Sequence, residues 1–162
     1  MYCTCTYDSP VGILRLGAEE TFLTGLWLPG QSAPEGTENP DHPVLLQAKA
    51  WLDHYFSGYA STIPRPPLGP RGTAFQQRVW QILLTIPFGC TLTYGQIARM
   101  LGNPRAFQAV GGAVKRNPIS ILIPCHRVVG AHSLTGYQGG LKAKQWLLTH
   151  EGISTEDYHD AL

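Results

Sequence analysis

The residue pattern points to a small α/β domain followed by a mainly helical one. Short extended stretches separated by turn residues occupy the chain from Tyr2 to Leu28. A proline-dense run, Ile63-Pro64-Arg65-Pro66-Pro67-Leu68-Gly69-Pro70, interrupts the chain near its middle. Beyond it, apolar residues recur at helical rather than alternating spacing.

In the first part, Asp8-Ser9-Pro10 is a turn between two extended stretches rich in Val, Ile, Leu and Thr, and Thr24 to Leu28 reads as a third. A small antiparallel sheet is expected. Gln31 to Pro43 is Gly-, Pro- and polar-rich and reads as irregular, whereas Val44, Ala48, Trp51, Leu52 and Tyr55 mark one amphipathic helix over 44–56. The proline run suits neither a helix nor a central strand, because each proline removes an amide donor and restricts its predecessor. It serves as a linker, giving domains 1–70 and 71–162.

In the second part, Phe75, Val79, Ile82, Leu83 and Ile86 predict a helix capped by Thr73 and ended by Pro87. Two short helices follow, Tyr94 to Leu101 and Pro104 to Val114, split by Gly102-Asn103, with Asn103 as cap and Pro104 at the first helical position. The pair is a helix-turn-helix pattern. The apolar run Ile119 to Ile123 suits a buried strand that delivers Pro124-Cys125-His126-Arg127 at its end. A last helix starts about Leu141 and ends near Gly152.

With 162 residues, 43% of them hydrophobic, the chain can build one ordinary domain or two small ones. No apolar run reaches the roughly 20 residues of a membrane helix, and the opening MYCTCTYDSP lacks the character of a signal peptide. A cytoplasmic or nuclear protein is expected. Four cysteines are too few for a disulfide framework in a chain of this size. The formal net charge of +1 does not announce a nucleic-acid partner, so any basic face must be local.

A cysteine acts as a nucleophile only as its thiolate, which needs cationic or hydrogen-bonding neighbours. Cys125 stands beside His126 and Arg127. On an extended backbone Arg127 would share its face and His126 would point away, so contact between thiol and imidazole requires a turn. Taken alone, a cysteine in an apolar segment is as readily a core residue.

The run Ile121-Leu122-Ile123-Pro124-Cys125-His126-Arg127-Val128-Val129 resembles the active-site signature of the O6-alkylguanine-DNA alkyltransferases. The likeness extends through Thr93-Tyr94-Gly95-Gln96, Gly102-Asn103-Pro104, Ala109-Val110-Gly111-Gly112-Ala113, Arg116-Asn117-Pro118, Gly136-Tyr137-Gln138-Gly139-Gly140-Leu141 and Glu151-Gly152. It covers nearly all of 71–152 and the first seventy residues only loosely. It implies a ribonuclease-H-like first domain and a winged helix-turn-helix-like second one.

The resemblance also implies DNA repair by a single irreversible transfer. An alkyl group would leave the O6 of guanine, or the O4 of thymine, for the protein's own cysteine after the nucleotide has rotated out of the duplex. Carried onto this chain, Cys125 is the acceptor, His126 deprotonates it through a water, and Glu151 orients His126. Asn117 supports the turn, and Tyr94 donates toward the guanine. Tyr137, Lys144 and backbone groups at Cys125 and Val128 form the base pocket. No cofactor is implied. Outside the resemblance, Glu151 reads as a solvated carboxylate, Tyr94 as a core aromatic and Asn117-Pro118 as an ordinary turn.

The expected partner is double-stranded DNA, approached through its minor groove by the second helix of the pair, with the protein monomeric in solution and cooperativity on DNA left open. Tyr94, Arg105, Gln108, Ala109, Gly111 and Arg116 are the DNA-contacting candidates, with Arg99 and Lys115 adding local positive charge. Small residues there suit either close approach of DNA or tight helix packing. Family members place an arginine just before Ala-Val-Gly-Gly, where it fills the gap left by the flipped nucleotide. This chain has uncharged Gln108 there, with Arg105 one turn earlier as another candidate.

Some relatives bind structural zinc near their N-terminus. Here only Cys3 and Cys5 are available, with His42 and His54 at unconvincing spacing, so no metal is expected and both cysteines read as strand residues. Three rival functions make distinct predictions. A lesion-binding protein would lack the acceptor cysteine, a cysteine hydrolase would turn over repeatedly, and a transcription regulator would be indifferent to Cys125→Ser.

Overall fold

A computed structural model describes residues 1–58 and 63–162. Its two compact units span Met1–Arg71 and Gly72–Leu162.

The first unit pairs strands β1 (Tyr2–Ser9), β2 (Gly12–Glu19) and β3 (Phe22–Trp27) antiparallel and in sequence. The short β4 (Thr37–Glu38) lies parallel to β1, giving the order β3-β2-β1-β4. The expected antiparallel sheet is therefore mixed. Having run out along β3, the chain returns through the Gly- and Pro-rich segment before pairing on the far side of β1, and so enters β4 in β1's own direction.

Helix α1 (Pro43–Phe56) is capped by His42, whose Nδ1 accepts from the Val44 amide, and packs on β1, β2 and β3. Leu14, Leu16, Leu23 and Leu26 meet Leu45, Ala48 and Leu52 in its core, all buried. Cys3 and Cys5 are buried residues of β1 two positions apart. The proline run is more than a spacer. Leu23 donates to Pro67 and Gly69 donates back to Leu23, both at 2.8 Å, so the segment lies along β3. Such an edge tolerates proline because few ladder donors are needed.

In the second unit, Thr73 and Gln76 form a reciprocal capping box at the start of α2 (Ala74–Leu83). Trp80 of α2 donates its indole N–H to the Ala113 carbonyl of α4 (Phe107–Lys115) at 2.9 Å, fastening the two helices. Helix α3 (Tyr94–Met100) has a second capping box, Thr93 with Gln96, and is followed by Gly102 at φ +79°. Helix α4 begins later than Pro104. The Asn103 side chain accepts from Arg105 and its carbonyl from Ala106, closing a separate turn before the helix.

The run 119–123 is not a strand. It is a buried turn with Ile121 at φ +73°, held by Asn117, whose side chain donates to Ile123 O at 2.8 Å and accepts from Ile119 N at 3.0 Å. Beyond it a 3₁₀ turn, Cys125–Arg127, leads into β6 (Val128–Val129), which pairs parallel with β5 (Leu92–Thr93). Helix α5 (Leu141–His150) closes the unit. No helix among the described residues is long and apolar enough to cross a membrane.

Candidate active site

A cavity of about 140 Å³ in the second unit is lined by Tyr94, Gly111, Val114, Lys115, Cys125, Gly136, Tyr137 and Gln138. Cys125 is 2% exposed. Burial pushes its thiol up from the ordinary value, against the opposing influence of Asn117, the Lys144 ammonium, Ser120 and Tyr137. The Tyr137 and Ser120 hydroxyls stand near the sulfur but make no well-formed hydrogen bond among the described residues. The resting residue is therefore a thiol surrounded by groups that would favour its anion.

The 3₁₀ turn fans consecutive side chains apart by about 120°. Cys125 faces the cavity, while His126 and Arg127 both reach Glu151. His126 Nε2 lies 2.6 Å from Glu151 Oε2, and Arg127 Nε donates to Oε1 at 2.7 Å. Arg127 also donates to the Ile86 carbonyl at 2.7 Å and stacks its guanidinium over Phe88. The Gly89 amide gives Glu151 Oε1 a further donor at 3.2 Å.

Burial raises the Glu151 carboxyl, but its bonds to His126 and Arg127 outweigh this and hold it well below the usual carboxylate range. Burial likewise lowers His126. A neutral imidazole beside an ionised carboxylate carries its proton on Nε2, which leaves Nδ1 as an acceptor. That Nδ1 is buried and bonds to no group among the described residues. The arrangement can thus take up one proton close to a thiol.

Lys144 is fully buried beneath the loop that follows β6, not on the cavity wall. Its ammonium donates to Val128 O at 2.7 Å, to Leu134 O, and more weakly to Thr135 Oγ1 and Gly136 O, and burial brings its pKa down to about 8. The Val128 carbonyl is thereby occupied. Tyr94 Oη shares a 2.7 Å hydrogen bond with Thr135 Oγ1, and burial raises its pKa. From the C-terminal tail, Asp160 accepts from Ser133 Oγ and Leu134 N at 2.7 Å and from Thr135 N at 3.1 Å.

The sequence reading missed four of these contributors: Ser120, Thr135, Asp160 and the pairing of Arg127 with Glu151. Arg127 alone left a trace, as a charge beside the thiol.

Arg105 in the turn before α4 and Gln108 and Ala109 on it are exposed, as are Arg99, Lys115 and Arg116. Gly111 lines the cavity, and a β-carbon there would touch only the Tyr94 ring, at an ordinary 3.8 Å. Internal packing does not demand a glycine at this position. Ala113, by contrast, is buried against Trp80. Among the described residues no group of His, Cys, Asp or Glu side chains could hold a metal ion.

Residues 74–153 match the family model described as 6-O-methylguanine DNA methyltransferase, DNA binding domain. The chain is 42% identical over 151 residues to a methylated-DNA–protein-cysteine methyltransferase of Haemophilus influenzae, covering 91% of this chain and 84% of that one. It is 46% identical over 149 residues to the protein of that name from Mycobacterium tuberculosis, covering 90% of each. A crystal structure of the M. tuberculosis O6-methylguanine methyltransferase superposes with a TM-score of 0.84 at 43% identity, covering 93% of both chains. The structure of that bacterium's protein in complex with DNA gives the same values.

Proposed function

The chain belongs to the methylated-DNA–protein-cysteine methyltransferase family, and from that premise we propose how its second unit repairs DNA. The protein binds DNA and removes an alkyl group from it onto a protein cysteine. The acceptor is Cys125 and the substrate is O6-alkylguanine, with O4-alkylthymine as a second lesion of the same chemistry. The observation that carries this reading is a buried thiol facing a cavity beside a His126–Glu151 pair.

The thiol proton passes through one water to His126 Nδ1, while Glu151, kept ionised by Arg127, stabilises the imidazolium that forms. Sulfur attacks the alkyl carbon as the carbon–O6 bond breaks. The bonding pair stays with the guanine, which accepts a hydrogen bond from Tyr94 and finally takes a proton to replace the one His126 removed from the thiol, as the imidazolium gives its proton back through water. Thr135 can donate to the Tyr94 oxygen, which frees the phenolic hydrogen for the base. Tyr137 closes over the base, Asn117 fixes the turn beneath the sulfur, and Lys144 braces the loop. The thioether is stable, so each molecule reacts once.

Because the sulfur is buried, the damaged nucleotide leaves the duplex to reach it. Helix α4 approaches the minor groove with two small contacts, Gly111 at the cavity and the exposed Ala109. Arg105, Gln108 and Arg116 lie beside it, with Arg99 and Lys115 for flanking phosphates. The protein acts in the cytoplasm as a monomer. The sheet order β3-β2-β1-β4 supports a ribonuclease-H-like first unit, and α3, α4 and the β5–β6 pair support a winged helix-turn-helix second unit.

Nucleoside analysis of a duplex carrying O6-methylguanine tests the reading. One deoxyguanosine should be regenerated per protein molecule added, and none by Cys125→Ser. Regeneration that survives this substitution would overturn it.

A further inference from the structure

The departure of the damaged base leaves a hole in the base stack, and the helix that helps line the cavity carries, one turn from that lining, a side chain suited to fill it. This inference rests on the reading of Cys125 as acceptor. Gly111 and Lys115 line the cavity four residues apart on α4, and one turn earlier on the same stripe stands Phe107. At about 1.5 Å of rise per residue, Phe107 lies roughly 6 Å from Gly111 toward the free N-terminal end of the helix.

Phe107 is the first residue of α4 and 51% exposed, whereas the core-facing side of the helix is supplied by Val110, Ala113 and Val114. Exposed cations stand before and after it, Arg105 in the turn that precedes α4 and Lys115 and Arg116 at the helix's far end, with Arg99 on α3, and such a surface suits a polyanion and no apolar partner. A large aromatic ring amid cations finds one apolar surface on DNA, the faces of its stacked bases. Inserted apolar side chains separate base steps in this way and bend the groove around the protein. Its neighbour Gln108 can hydrogen-bond a base edge but offers little surface for stacking.

We propose that Phe107 wedges into the duplex at the lesion and occupies the space vacated by the extruded nucleotide. A single strand has no partner strand and less stacking to replace, so the wedge matters for duplex substrate alone.

The test measures the single-turnover rate of methylation of Cys125 from an O6-methylguanine oligonucleotide, supplied as a duplex and as the free single strand. Phe107→Ala should slow transfer from the duplex about tenfold or more and change the single-strand rate by less than about twofold. Phe107→Trp, which keeps a stacking ring, should restore the duplex rate. Equal losses on both substrates would mark a structural role and overturn the proposal. So would an unchanged duplex rate, or a duplex-specific loss found in Gln108→Ala and not in Phe107→Ala. If the wild-type protein left Cys125 unmethylated by the single strand as well as the duplex, the acceptor assignment itself would fall, and this inference with it.

Discussion

Glu151 accepts hydrogen bonds from His126, Arg127 and Gly89 at once, and its side chain is fully buried. Removing it strands a guanidinium that is itself only 6% exposed. Glu151→Ala is therefore expected to cost roughly 3 to 5 kcal/mol of stability, as breaking one side of a buried ion pair does. Chemical denaturation of the two proteins measures it, and a loss below about 1 kcal/mol would show that Arg127 finds another partner. The same residues set a pH dependence. His126 must be neutral to accept a proton, and burial lowers its pKa, so the transfer rate should stay level through neutrality and fall only below about pH 6.5. A rate-against-pH midpoint at or above the ordinary imidazole value would contradict a buried, neutral base.

The loop after β6 is held from two sides, by Lys144 of α5 and by Asp160 of the tail. Asp160 has its pKa brought down to about 2 by the Ser133 hydroxyl and the amides of Leu134 and Thr135. Its folded pKa lies below its unfolded one, so this stabilisation is complete above about pH 4 and is lost as pH falls toward 2. At neutral pH, Asp160→Ala should raise hydrogen exchange of the Leu134 and Thr135 amides about fivefold or more and slow transfer, because Thr135 positions Tyr94. Unchanged protection would make the tail a bystander.

At this scale the limits of sequence become physical. The capping boxes at Thr73 and Thr93 are local chemistry, legible wherever the spacing occurs, although the reading used only Thr73. The turn at 119–123 was not legible. Four apolar residues and a serine look alike whether extended or folded over a residue at φ +73°, and the deciding partner, Asn117, acts from outside the run. Strand β4 has two residues inside a Gly- and Pro-rich stretch and exists only because β1 is beside it. Lys144 was assigned to the base pocket, yet its ammonium is spent on carbonyls that no sequence pattern announces.

Over the whole molecule a net charge of +1 hides a local surface, the exposed cations Arg99, Arg105, Lys115 and Arg116 around α3 and α4. Four phosphate contacts release about as many counterions, so log affinity for undamaged duplex against log salt should slope no more steeply than about −4. A markedly steeper slope would point to DNA contacts beyond this surface. The triplet Cys125-His126-Arg127, by contrast, stood out because its residues are contiguous, although the turn that sets their directions did not. The thiol is consumed by the repair it performs, and intact-mass and peptide analysis after mixing with limiting and then excess O6-methylguanine duplex measures that consumption. One methyl on Cys125, saturating at about one per molecule and absent from Cys125→Ser, is the result expected. Lesion binding without a change in mass, or repair of many lesions per molecule, would contradict it.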